Sequence, residues 1–152
     1  MSTYGISLFC DDIRFEQQNK ISLIGCYGHE MLIAIPPPIS IPKLGILVQI
    51  RSPAEKLPER TLLVYGPQSE EPFFKMEVGP NEEQEFVPQI NPDDVYEVDS
   101  VRLRGAIIPL VFSPFLIEKE GVIRVRMMCG SERVRLGGLR ITHRPADQMP
   151  GA

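Results

Sequence analysis

Apolar and polar residues alternate along most of the chain, which is the pattern of β-strands and not of helices. Ile123 and Val125, for example, alternate with Arg124 and Arg126. The 15 prolines and 12 glycines are spread through the sequence, so long helices have little room. We therefore predict about nine or ten short strands and at most one short helix, for which Asn91–Asp94 offers a start.

Strands of this length, spaced about ten residues apart, are typical of an all-β fold. We predict a two-sheet antiparallel β-sandwich of the jelly-roll or C2-like type, with a closed barrel as the second choice. The first strand is expected over Tyr4–Cys10. The last hairpin is expected to join Glu132–Leu136 to Leu139–Thr142 across Gly137 and Gly138.

The composition is that of a globular domain, with 43% apolar and 24% charged residues in a chain of 152. We assign residues 1–144 to a single β-sandwich domain and residues 145–152 to a flexible C-terminal tail. No apolar run approaches the roughly 18 residues needed to cross a bilayer, and the N-terminus has no basic segment before its apolar part. We therefore expect no membrane association and a cytoplasmic location.

The stretch Leu8–Gly25 combines a tight acidic cluster with a neighbouring cation. Asp11 and Asp12 are expected to form a structural corner after the first strand, tied by an Arg–carboxylate pair that uses Arg14 and Glu16. The carboxylates of Asp11, Asp12 and Glu16 are also oxygen ligands of the type that Ca²⁺ prefers, so a metal- or carbohydrate-binding site is an alternative. Because adjacent residues of an extended chain point to opposite sides, we predict no bound metal here.

The same stretch, FCDDIRFEQQNKISLIGCY, resembles the opening of a small bacterial β-sandwich family of unknown function. The shared signature is (C/A)DDIR-x-E, a turn with (N/G)K, and then SLIG with an aromatic residue. The matching positions here are Asp11, Asp12, Ile13, Arg14, Glu16, Asn19, Lys20, Ser22, Leu23, Ile24, Gly25 and Tyr27. The resemblance implies a single-domain bacterial β-sandwich, and it carries no activity with it.

Residues that could perform catalysis are few. The sequence has no G-x-S-x-G, no phosphate-binding G-x-x-x-x-G-K and no G-x-G-x-x-G motif. Its histidines, His29 and His143, have no cysteine or second histidine within four residues, which argues against zinc. Cys10, Cys26 and Cys129 lie in apolar segments and are expected to be small core residues. We predict no catalytic residue and no cofactor, and keep an enzyme without a recognisable motif as an alternative.

Charge is distributed unevenly along the chain, whose net charge is −4. Residues 1–100 carry 7 Lys and Arg against 16 Asp and Glu, whereas residues 101–144 carry 9 against 3. If the strands of the basic part are neighbours, their arginines form a basic stripe on one sheet face. The predicted binding residues are Arg102, Arg104, Arg124, Arg126, Arg133 and Arg135.

Two interpretations of the arginine stripe stay open. The arginines either pair with the acidic half of the protein and with solvent, or they contact a partner. Arginine in place of lysine favours a specific, desolvated protein interface, and few aromatic residues interleave with these positions, so nucleic acid is not expected. The sequence thus favours a non-catalytic binding or assembly module that contacts a partner protein or a second subunit, and strand addition at an open sheet edge would produce self-association.

Overall fold

A computed structural model of the chain describes residues 2–54, 59–78 and 95–151. Strands dominate these ranges, and the helical parts are two 3₁₀ turns, Gln17–Asn19 and Ala146–Gln148. The helix start predicted at Asn91–Asp94 lies outside the described residues. The strands are β1 Tyr4–Phe15, β2 Ile21–Cys26, β3 Glu30–Ile33, β4 Ile39–Ile41, β5 Leu44–Pro53, β6 Arg60–Tyr65, β7 Pro72–Val78, β8 Val95–Val98, β9 Val101–Phe112, β10 Phe115–Ile117, β11 Gly121–Cys129 and β12 Glu132–His143.

The strands form two five-stranded sheets and a small ribbon. Sheet A has the order β2-β1-β5-β9-β8, sheet B has the order β3-β12-β11-β6-β7, and β10 pairs with β4. The predicted all-β sandwich is confirmed. The prediction of purely antiparallel sheets needs one correction, because β3 and β12 are parallel. Most of the chain separates these two strands, so no hairpin forces them to run in opposite directions.

The hydrophobic core lies between the two sheets and follows the predicted alternation. On β11, Ile123, Val125 and Met127 are fully buried in the core, and Arg124 and Arg126 point outward between them. Side chains of β5, β9 and β12 belong to the same core cluster. Within the described ranges, no helix is long and apolar enough to cross a membrane.

The predicted corner at Asp11 and Asp12 is wrong, because β1 continues through both residues to Phe15. Asp12 lies opposite Ile24 in the ladder between β1 and β2. The chain turns later, at Gln17–Asn19, where Gln18 and Asn19 have positive φ angles of 62° and 56°. Asn tolerates this left-handed conformation better than most residues, so Asn19 suits the turn that follows the ladder.

The predicted hairpin at Gly137 and Gly138 is also wrong, since β12 runs through both glycines. The register with β11 shifts between Val125 and Arg126, which is a β-bulge in the middle of the pair. Gly137 has a φ of +116°, and a Cβ on Gly138 would lie 2.8 Å from the carbonyl oxygen of Ile123. Gly137 therefore permits the backbone conformation at the bulge, and Gly138 permits the close approach of β11. The arginines before and after these glycines lie on one strand.

Candidate functional site

The structure brings four of the six predicted binding arginines together. Arg124 and Arg126 lie on β11, and Arg133 and Arg135 lie on its neighbour β12. All four alternate with buried residues and point away from the core. We call these four residues the arginine cluster.

Arg102 and Arg104 are not part of this face, because β9 belongs to sheet A. They fall on the same side of β9 as the buried Ala106 and Ile108. The Arg104 Nε donates a hydrogen bond to the carbonyl oxygen of Ala54 at 3.2 Å. The predicted single stripe of six arginines is therefore corrected to a cluster of four in sheet B, since strand order separates the other two.

Tyr65 lies at one side of the arginine cluster and contacts two of its members. It is the residue opposite Arg124 in the ladder between β6 and β11. The guanidinium carbon of Arg124 lies 5.0 Å from the centre of the Tyr65 ring, and that of Arg133 lies 5.7 Å from it. Both distances fit cation–π contacts, which position the two arginines. The sequence prediction missed Tyr65, although the alternation of β6 would have placed it on the outward face.

The arginines of the cluster repel one another. Arg126 lies directly opposite Arg135 in the ladder between β11 and β12. Burial of its guanidinium lowers the pKa of Arg126, and the charges of Arg133, Arg124 and Arg135 lower it further. Two backbone carbonyl oxygens accept hydrogen bonds from its Nη1, that of Val125 at 2.8 Å and that of Gly137 at 3.3 Å. Both acceptors are neutral, so these two hydrogen bonds do not balance the charge of Arg126.

Carboxylates of the described residues do not neutralise the cluster. In the described ranges, no Asp or Glu oxygen lies within the 4.0 Å of an ion pair from any of the four guanidinium groups. Asp12 pairs with Lys43 at 2.9 Å, and Glu30 lies 3.7 Å from the Arg144 guanidinium. Four like charges therefore lie on one face and form no ion pair with the described part of the chain.

Removing one charge from the cluster is expected to stabilise the fold. Like charges directly opposite in a ladder are destabilising, so Arg135→Gln should raise the free energy of unfolding by about 0.2–1 kcal/mol in urea titrations. Arg102→Gln is the matched control, because Arg102 lies opposite Glu97 and loses an attractive pair. Equal changes in both variants would show that repulsion in the cluster has no measurable effect.

Two of the three acidic residues singled out in the sequence, Asp11 and Asp12, have side-chain partners within the fold. The Tyr27 hydroxyl donates to Asp11 Oδ1 at 2.5 Å, and Lys43 Nζ donates to Asp12 Oδ1 at 2.9 Å. The hydrogen bond from Lys43 is the main reason that the pKa of Asp12 is lowered, and Arg14 at 3.7 Å contributes less. Glu16 is exposed at the start of the turn.

A metal site at this position is not supported by the geometry. In the ranges that the structure describes, no group of three or more His, Cys, Asp or Glu residues could hold a metal ion. Asp11 is bound to a phenol and Asp12 to an ammonium group, so neither carboxylate is oriented toward a shared cation. The arginine cluster is the better candidate for a functional surface.

No protein-family model matches the chain. Searches of curated proteins and of solved structures also found no significant match. The resemblance of the stretch around Asp11 to a small bacterial family therefore stays a prediction. The function must be inferred from the residues of the site.

Proposed function

We propose that this protein is a non-catalytic binding or assembly module of the bacterial cytoplasm, and that its arginine cluster contacts an acidic protein surface. The proposal rests on one observation: four arginines share one sheet face and form no ion pair with a carboxylate of the described residues. Arginine donates in a planar fork that matches carboxylate geometry, so acidic side chains of a partner would neutralise the cluster. The acidic surface belongs to a partner protein or to a second copy of this chain.

The neighbours of the cluster favour protein over nucleic acid as the partner. Tyr65, Leu63 and Met128 point outward beside the arginines, and each is half-buried. Aromatic residues, methionine and arginine are enriched in protein interfaces, where a few such side chains provide most of the binding energy. The net charge of −4 would also oppose the approach of a nucleic acid backbone.

The proposal is tested by removing two exposed cations of the cluster. Arg133→Ser/Arg135→Ser should weaken capture of the partner at least tenfold in a native pull-down quantified by mass spectrometry, because two charge-assisted contacts are lost. Lys20→Ser/Arg102→Ser is the matched control, which removes the same charge from positions outside sheet B.

Two further measurements make the test more specific. Light scattering of both variants separates self-association from binding to another protein. The wild-type complex should weaken as salt rises, because exposed charge pairs are screened. If the cluster variant and the control variant capture the same proteins equally well and have the same oligomeric state, the proposal is wrong.

A further inference from the structure

A groove lined by aromatic side chains lies next to the arginine cluster. It is formed where the connection between β6 and β7 meets the end of β9 and the short strand β10, and its volume is about 390 Å³. Phe73, Phe112 and Phe115 form one wall. The ring centre of Phe73 lies 5.2 Å from that of Phe112 and 5.6 Å from that of Phe115. These edge-on and tilted contacts hold the wall in one arrangement.

The groove presents apolar surface to solvent. Phe73 is 45% exposed and Leu116 is 56% exposed, although both have apolar neighbours in the groove. Pro67 and Pro114 also line it. The charged lining residues are Glu118 and Lys119, whose opposite charges leave the rim without net charge. A groove of this kind selects an apolar side chain by shape and by burial.

The groove is continuous with the arginine cluster. The Arg124 guanidinium donates a hydrogen bond to the carbonyl oxygen of Ser69, and Ser69 lines the groove. Tyr65 contacts Arg124, and the next residue, Gly66, is part of the groove lining. Along β11, Arg126 lies two residues from Arg124, which is roughly 7 Å in a strand. One extended segment of a partner can therefore reach both surfaces.

We propose that the groove holds a bulky apolar side chain of the same partner segment whose carboxylates bind the arginine cluster. This inference rests on the proposed function and specifies the partner as an extended acidic segment. The segment carries at least two carboxylates and an aromatic or large aliphatic anchor. Roughly two to five residues separate the carboxylates from the anchor, which comes before or after them in the sequence, and an extended chain spans about 3.3 Å per residue. Carboxylates set the register on the arginines, and the anchor supplies buried apolar area.

Three labelled peptides test the inference by fluorescence polarisation at low salt. The first is acidic with an anchor, DEDEGSFL. The second is acidic without an anchor, DEDEGSSS, and the third has the anchor without acids, SNSNGSFL. The first should bind at least tenfold more tightly than either of the others, because only it occupies both surfaces.

Variants of the groove and of the arginine cluster assign each contribution to its surface. Leu116→Ser should remove the tenfold advantage of the anchored peptide and leave binding of DEDEGSSS unchanged. Ile6→Ser is its matched control, because Ile6 is 54% exposed on β1 of sheet A. Phe73→Ser provides a second groove variant, and its melting temperature shows whether it folds. Arg133→Ser/Arg135→Ser should weaken binding of both acidic peptides alike.

The outcomes separate the two proposals. If both acidic peptides bind equally and depend on the arginines, the groove inference is overturned and the proposed function stands. If binding of the acidic peptides is unaffected by the arginine variant, the proposed function fails as well. If only the two anchored peptides bind, irrespective of acidity, the groove binds apolar segments without help from the cluster and the combined site is refuted.

Discussion

Replacing Gly5 by alanine is expected to lower the free energy of unfolding by about 3 kcal/mol, the upper end of the usual cost of overpacking. Gly5 lies on β1 opposite Ile50, where β1 packs against β5. A Cβ at this position would overlap the backbone carbonyl oxygen of Gln49 and lie 3.0 Å from Leu136 Cδ2. A backbone oxygen within a ladder cannot move aside as the end of a side chain can, so β1 would have to shift away from β5 and from Leu136.

The effect is measured by urea unfolding followed by circular dichroism, with Gly28→Ala as the control. A Cβ on Gly28 would meet no heavy atom within 4 Å, and its φ lies outside the left-handed region. That substitution should change the free energy of unfolding by less than about 0.5 kcal/mol. Comparable losses in the two variants would show that the close approach at Gly5 does not limit the fold.

Oxidation is expected to join Cys10 to Cys26 and to stabilise the protein by about 3 kcal/mol, the value for closing a loop of roughly 15 residues. The two residues lie directly opposite in the ladder between β1 and β2. The Tyr27 N–H donates to the Phe9 carbonyl oxygen at 2.8 Å, so the adjacent pair of cysteines occupies a site without ladder hydrogen bonds. At such sites the Cα atoms are about 4.5 Å apart, which is within the range of disulfides.

The two thiols have different roles in this reaction. Cys26 is exposed, whereas burial and then the nearby Cys26 raise the pKa of Cys10 to about 11. With oxidised glutathione as the oxidant, the Cys26 thiolate attacks first and releases one glutathione. The Cys10 thiolate then attacks the mixed disulfide and releases the second. The Cys10 thiol donates a hydrogen bond to the Gly45 carbonyl oxygen at 3.7 Å, and this bond is lost when the thiol ionises.

Mass spectrometry under denaturing conditions measures the reaction as the loss of two hydrogen atoms from the intact chain. The melting temperature of the oxidised protein should rise, and a thiol reductant should reverse the rise. Cys26→Ser is the control, because it keeps Cys10 and Cys129 and has no cross-strand pair. Persistence of a glutathione adduct on Cys26 in the wild type would contradict the prediction, since the adduct would show that the Cys10 sulfur cannot reach the Cys26 sulfur.

The rate of the second step should increase with pH up to about 11, because the Cys10 thiolate is the attacking group.

The alternation of apolar and polar residues was sufficient to predict the fold class. On β11 the predicted inward and outward sides are the observed ones, because side chains of a strand alternate whatever its neighbours are. Turns predicted from local residue types were wrong where hydrogen bonds to a neighbouring strand are stronger than the preference of those residues for turns. Asp11 and Asp12 remain in a ladder with β2, and Gly137 and Gly138 remain paired with β11 beside a bulge. In both places the sequence contains typical turn residues, and the paired strand keeps them extended.

The sequence by itself determined that arginines occur at alternate, outward positions in the last part of the chain. Only the tertiary structure decided which of them are neighbours, because strand order depends on long-range pairing that no local pattern records. That order joins Arg124 and Arg126 to Arg133 and Arg135 and places Arg102 in the other sheet. It also assembles the aromatic groove from segments that are distant in the chain and sets it beside the cluster. The chemistry of the site is therefore encoded in the sequence, and its geometry arises from the packing of the two sheets.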